Sequence, residues 1–215
     1  MTIDTEDLLN SIFASLDRIE YIKPKDIPNI DLYMDQVTTF MDRKLRATVR
    51  YPGEDKVLTK TIINNYAKND LLPPPVKKKY SKEHVLLLIF IYYYKSILSI
   101  NDIQILLKPI TEKFFQNGQE FNLETIYEEI FAMDEDLVNG LKADIRREFA
   151  QAEKSFCDAP EESRDFLQKF SFICQLSFDV YVKKMIIEKM VDELAGKSAQ
   201  EREEKKEEKK EEKKK

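Results

Sequence analysis

The chain has 215 residues, 42% of them apolar, with 35 Lys or Arg against 40 Asp or Glu. That is enough for one or two domains with a real core, and only four glycines and eight prolines argue for helices over a turn-rich β protein. The acidic start Met1-Thr2-Ile3-Asp4-Thr5-Glu6-Asp7 argues against a secretory leader. The longest apolar run, Val85 to Tyr94, is half the ~20 residues a spanning helix needs, so the expectation is a cytoplasmic protein without a membrane partner.

In chain order, Leu8, Leu9, Ile12, Phe13, Leu16 and Ile19 recur at helical spacing and predict an amphipathic helix over 5–19 with Asp4 as its cap. Pro24 and Pro28 forbid a continuous helix through the next segment, so residues 1–25 read as a helix and linker ahead of the main domain. A helix is expected over 32–45, capped by Asp31, with Met34, Val37 and Met41 on one stripe. Pro52-Gly53-Glu54-Asp55 is a turn signal. Thr59 caps a short helix over 60–68, and Pro73-Pro74-Pro75 enforces extended chain after it. Ser81 caps the next helix, whose segment Val85 to Ile91 is apolar all round and belongs at the centre of the core. A fourth helix opens at Ser99 or Asn101, buries Ile100, Ile103, Leu106 and Leu107, and stops at Pro109.

Two amphipathic helices are expected over 122–131 and 137–156. Asp158-Ala159-Pro160-Glu161-Glu162 starts a long helix, with Pro in its first turn and acids facing the dipole. It runs to Leu194, with Gly196 as its stop. Phe166, Phe170, Ile173, Val180, Met190 and Leu194 make it apolar enough to pack against several neighbours or against its copy in a homodimer. From 197 to 215 the Glu-Glu-Lys-Lys repeat sets like charges at i, i+4 and predicts a disordered tail.

Charge is unevenly spread. Residues 40–82 hold eleven Lys or Arg and four Asp or Glu, whereas residues 111–200 hold eleven and nineteen. A basic segment on an acidic chain marks the surface that meets a polyanion. Within it, the helix over 60–68 turns Ile63, Tyr66 and Ala67 inward and Lys60, Thr61, Asn64, Asn65 and Lys68 outward. Short polar side chains suit base edges and lysines suit phosphates. Lys77-Lys78-Lys79, beside that helix on an extended segment, cannot all be hidden and would supply salt-sensitive phosphate contacts. Arg43, Lys44, Arg46, Arg50 and Lys56 extend the basic area.

Asn65-Tyr66 through Asp70-Leu71-Leu72-Pro73-Pro74, then Tyr80-Ser81-Lys82-Glu83-His84-Val85, then Ile97-Leu98-Ser99-Ile100-Asn101-Asp102-Ile103 resemble the winged-helix domain of the mercury-resistance-regulator (MerR) superfamily. With Leu32-Tyr33-Met34-Asp35-Gln36-Val37, the segment is also similar to a bacterial family, domain of unknown function 1836. The resemblance implies an all-α fold with a small wing: a MerR-like winged helix-turn-helix over 26–110, then a helical dimerisation or effector half over 111–196. It implies a transcriptional regulator whose partner is double-stranded DNA, acting as a homodimer, with room for a small-molecule effector. Tyr66 would contact the DNA backbone, and Tyr80 and Ser81 would close the wing. Where the superfamily has two arginines in its reading helix, this chain has Thr61-Ile62-Ile63-Asn64. A second reading is therefore a protein-interaction adaptor that kept the fold without DNA binding.

Nothing in the sequence assembles an enzyme, a metal centre or a cofactor site. His84 is the only histidine and reads as part of a solvated helix face. Cys157 and Cys174 have no Cys or His near them and read as buried, reduced thiols. Tyr92-Tyr93-Tyr94 reads as core packing.

Overall fold

The computed structural model describes residues 5–16, 22–51, 53, 56–131 and 134–212. These form helices α1 (Thr5–Leu16), α2 (Met34–Leu45), α3 (Lys60–Lys68), α4 (Lys82–Tyr94), α5 (Ile100–Phe114), α6 (Leu123–Phe131), α7 (Asp134–Glu153) and α8 (Glu161–Glu212). Strands β1 (Leu32–Tyr33) and β2 (Lys79–Tyr80) pair antiparallel, Leu32 with Tyr80 and Tyr33 with Lys79. The described chain is thus mostly helical with one small sheet. No described helix is long and apolar enough to cross a membrane.

Helix α4 is the axis of the main core. Every residue from Val85 to Ile91 is buried, because its sequence offers no polar face to turn outward. Around it pack Val37, Phe40, Met41 and Leu45 of α2, Ile63 and Tyr66 of α3, Ile103 and Leu107 of α5, and Leu123 and Tyr127 of α6. The Tyr127 hydroxyl, fully enclosed, donates to the Ile22 carbonyl at 2.8 Å, which ties the segment before α2 to α6. A second, smaller core joins the other helices. Phe149 and Ala152 of α7 meet Phe172 of α8, with Leu9 of α1 packed on them. The Arg146 guanidinium lies 4.7 Å from the Phe13 ring centre.

Several boundaries differ from the sequence reading. Residues 17–19, expected in α1, and its cap Asp4 lie outside the described residues. Asp31 does not cap α2. The chain first spends Leu32 and Tyr33 on the strand, and Tyr33 becomes the cap residue, its N–H held by the Gln36 side chain at 2.8 Å. Pro109 does not stop α5, which continues to Phe114. The ring removes one helical hydrogen bond, but Ile110 and Phe115 beyond it pack on the core and the Asn117 side chain caps the Lys113 carbonyl. Ile100, expected in the buried stripe of α5, is exposed. It is the first residue of the helix, at its exposed end.

Gly196 does not end α8 either. The helix continues to Glu212, through the Glu-Glu-Lys-Lys stretch expected to be disordered. Glu and Lys are good helix formers, and extending an existing helix carries no nucleation cost. Cys157 and Cys174 are both exposed, not buried. Cys157 falls in the turn before α8, and Cys174 on a side of α8 that the described residues leave uncovered.

At the end of α3 the chain reverses through Asp70, whose φ of +55° is left-handed. The N–H groups of Leu71 and Leu72 return to the Tyr66 carbonyl at 2.9 and 3.3 Å, closing the helix as a glycine would. Asp tolerates this conformation at a cost that Gly does not carry. Relief of about 1–2 kcal/mol of left-handed strain, partly offset by about 0.5–1 kcal/mol for the greater freedom of unfolded glycine, is expected to make Asp70→Gly more stable by about 0.5–1 kcal/mol, read as a higher denaturant midpoint at unchanged slope.

Candidate nucleic-acid interface

Helix α3 is set by its own sequence. The Thr59 hydroxyl accepts from the Ile62 N–H at 3.2 Å, and the apolar stripe Ile63–Tyr66 docks on the core. That leaves Lys60, Thr61, Asn64, Asn65 and Lys68 exposed together, the arrangement expected from the spacing. Tyr66 is different. It is only 7% exposed, and burial raises its hydroxyl pKa. Its ring is part of the core and holds α3 in place from below.

The lysine triplet lies on a hairpin. Pro73 to Pro75 run extended from α3. Val76 and Lys79 then exchange both backbone hydrogen bonds, at 3.1 and 2.9 Å. The two residues between them, Lys77 and Lys78, have φ of +49° and +64°. Left-handed conformation at both central positions is a type I′ turn, which normally takes Asn-Gly. Here two side-chain-bearing lysines occupy it, each at a cost of roughly 1 kcal/mol, and both stand exposed at the tip. Lys79 is half-buried, with its ammonium 5.3 Å from the Tyr33 ring centre. Tyr80 is 3% exposed and, like Tyr66, supports the surface without reaching it.

Helix α3 and the hairpin flank the same point. Lys60, at the start of α3, ion-pairs with Asp35 in the first turn of α2. Lys79, at the base of the hairpin, stacks over Tyr33, the residue that caps α2. The N-terminus of α2 thus lies between them. Tyr33 and Asp35 organise the surface and were not singled out as site residues from the sequence. A strand-to-helix junction at that point would have been the signal.

Part of the basic charge is already neutralised. Besides Lys60 with Asp35, Arg46 pairs with Asp42 and Lys44 with Asp26 at 3.1 Å. Lys68, Lys77 and Lys78 form no ion pair among the described residues. Between α2 and α3 a cleft of about 500 Å³ is lined by Thr38, Thr39, Lys56, Lys60 and Thr61 together with the Arg46–Asp42 pair, so hydroxyls and cations, two of the latter already ion-paired, gather at the start of α3. A second cleft, of about 580 Å³, lies between the proline segment, Gln104 and Lys108 of α5, and Ala195 of α8.

His84 anchors the hairpin to the core. It is 1% exposed, not on a solvated face as its helical position suggested. Its Nδ1 accepts from the Ser81 N–H at 3.0 Å and lies 2.8 Å from the Ser81 hydroxyl. It thereby does the work of the Glu or Gln in a capping box. Nδ1 as acceptor places the proton on Nε2, which faces the Pro74 and Pro73 carbonyls without a hydrogen bond of normal geometry. The ring meets Tyr80 and Phe115 edge-on, at 5.5 and 4.9 Å. Burial, opposed by those carbonyls and by Asp31, leaves its pKa lowered. No group of three His, Cys, Asp or Glu positioned to hold a metal ion occurs among the described residues.

A family model described as domain of unknown function 1836 matches residues 22–130, which span the segment before β1 through almost all of α6. No curated protein and no solved structure matches the chain.

Proposed function

The chain belongs to the domain of unknown function 1836 family, and for it we propose a function in binding double-stranded DNA as a transcriptional regulator, through a winged helix-turn-helix. In this reading α2 and α3 are the helix-turn-helix pair and the Val76–Tyr80 hairpin is the wing. Helix α3 enters the major groove with Thr61, Asn64 and Asn65 toward base edges. Lys68 and the hairpin lysines take the flanking phosphates. The observation that carries this is the exposed polar face of α3 set across the α2 N-terminus from a hairpin that holds two lysines at its tip in a left-handed turn. Backbone strain kept at an exposed charged tip fits a place where the tip does something. An effector would have room in the cleft that α8 shares with the proline segment and α5.

Fluorescence anisotropy on random duplex DNA against salt is the test. Binding is expected to fall steeply as salt rises and to flatten when Lys77, Lys78 and Lys79 are changed to Glu. Absence of binding at ~50 mM salt, where non-specific affinity is strong, overturns the reading. A second reading, an adaptor that binds protein through the same face, is favoured by the ion pairs of Lys60 and Arg46 with Asp35 and Asp42. These acids lie where DNA phosphates would approach. Under it, the chain recovers a protein partner and no duplex binding is measured.

A further inference from the structure

A groove of about 430 Å³ runs along α2 beside the segment that precedes it. Pro28, Ile30 and Leu32 line it from that segment, and Thr39, Phe40 and Arg43 from α2. Leu32 and Phe40 belong to the main core and make its floor. Ile30 stands at its rim, 66% exposed, an apolar side chain left in water. The α2 residues recur at helical spacing and share one side of the helix.

The polar groups of this groove are committed, with one exception. The Gln36 side chain accepts from the Tyr33 N–H at 2.8 Å. The Thr39 hydroxyl donates to the Asp35 carbonyl at 2.8 Å, and the Asp35 carboxylate pairs with Lys60. The remaining acids near α2 are taken as well, Asp26 by Lys44 and Asp42 by Arg46. Arg43 forms no ion pair among the described residues. Its guanidinium lies 6.0 Å from the Phe40 ring centre, at one end of an otherwise apolar channel.

We propose that this groove binds a free monocarboxylate with an apolar body of about eight carbons, its carboxylate on Arg43 and its tail on Ile30, Leu32 and Phe40. The charge argues for the head group. One uncommitted guanidinium offers parallel N–H donors to a planar carboxylate, whereas a phosphate monoester brings about two negative charges and would leave one unpaired. The span argues for the tail. From Gln36 to Arg43 the helix rises roughly 10 Å, about the length of a straight chain of eight carbons with ~1.5 Å bonds. The walls argue for a free acid. A peptide carrying the same carboxylate would also press its backbone N–H and C=O groups against side chains that cannot satisfy them. The site is built from α2 and the segment before it, so it stands whether or not α3 meets DNA.

The test uses the full chain with labelled isoleucine methyl groups, titrated with sodium octanoate at neutral pH and followed by NMR. The Ile30 methyl is expected to shift along a saturating curve with a Kd on the order of 1 mM, while Ile173, exposed on α8, stays in place. Arg43→Gln should weaken binding about three- to tenfold with the melting temperature unchanged. By calorimetry, Ile30→Glu should abolish it, since a like charge then faces the ligand. Octanol and octylammonium should bind more weakly than octanoate, and the amide of acetyl-Leu-Leu-Glu should not compete. No shift of Ile30 overturns the proposal. So do an unchanged affinity in Arg43→Gln, equal binding of octanol or octylammonium, equal shifts at Ile173, and displacement of octanoate by the peptide.

Discussion

Replacing Lys77 with Asn and Lys78 with Gly is expected to stabilise the protein and weaken its hold on duplex DNA at the same time. The two lysines occupy the central positions of a type I′ turn at φ +49° and +64°, and Asn-Gly is the pair that adopts this turn without strain. Relief of two left-handed lysines is worth about 2 kcal/mol, which raises the melting temperature by about 2–4 °C per kcal/mol for a chain of this size. The same change removes two exposed cations that have no acidic partner among the described residues. If both contact phosphates, the slope of log affinity against log salt becomes shallower by about 0.9 for each, close to 1.8 together. A stabilised variant with an unchanged salt slope would show that the hairpin tip is not on the DNA. Because the fold is strengthened, a loss of binding could not be ascribed to unfolding.

The second large effect is acid sensitivity through His84. Its folded-state pKa lies below the ordinary 6.5 because the ring is buried. The unfolded chain therefore binds a proton that the folded chain refuses. Stability contributed by the neutral ring is complete above about pH 6.5 and is lost as pH falls below it, at up to ~1.4 kcal/mol per pH unit, until the folded ring also protonates. Protonation at Nδ1 would turn the acceptor for the Ser81 N–H into a donor and release the hairpin base. The Glu83 carboxyl, raised by its own burial, acts in the opposite direction, since it binds a proton more readily when folded. His84→Gln keeps a side-chain oxygen for the Ser81 N–H and leaves Glu83 in place. Denaturant unfolding of both chains between pH 5 and 8 should therefore show a slope through pH 6.5 that is steeper in the parent than in His84→Gln. Equal slopes would rule His84 out as its source.

Much of the candidate surface could be read from residue order because its determinants are local. Thr59 as a cap and the stripe of Ile63 and Tyr66 define α3 from Lys60 to Lys68 without reference to anything distant. The outward face of Lys60, Thr61, Asn64, Asn65 and Lys68 follows from the same periodicity. The burial of α4 was legible for a similar reason, as a segment without a polar face has only the core to occupy. Tyr66 and Tyr80 were harder. A tyrosine serves a surface or a core equally well, and only the neighbours packed on it decide.

Local patterning thus determined the order of the elements, the central helix, the basic concentration before residue 82 and the polar face of α3, since helical period, capping and charge act over a few residues. Tertiary packing decided the rest. It buried His84 under the proline segment, carried α5 through Pro109 and α8 through Gly196, paired Lys60 with Asp35, and left Phe166, Phe170 and Ile173 of α8 exposed while burying Val191. These outcomes depend on which surfaces meet across the fold. A helix-breaking residue or a lone titratable side chain answers to the sum of its contacts, and that sum is set by partners distant in the chain.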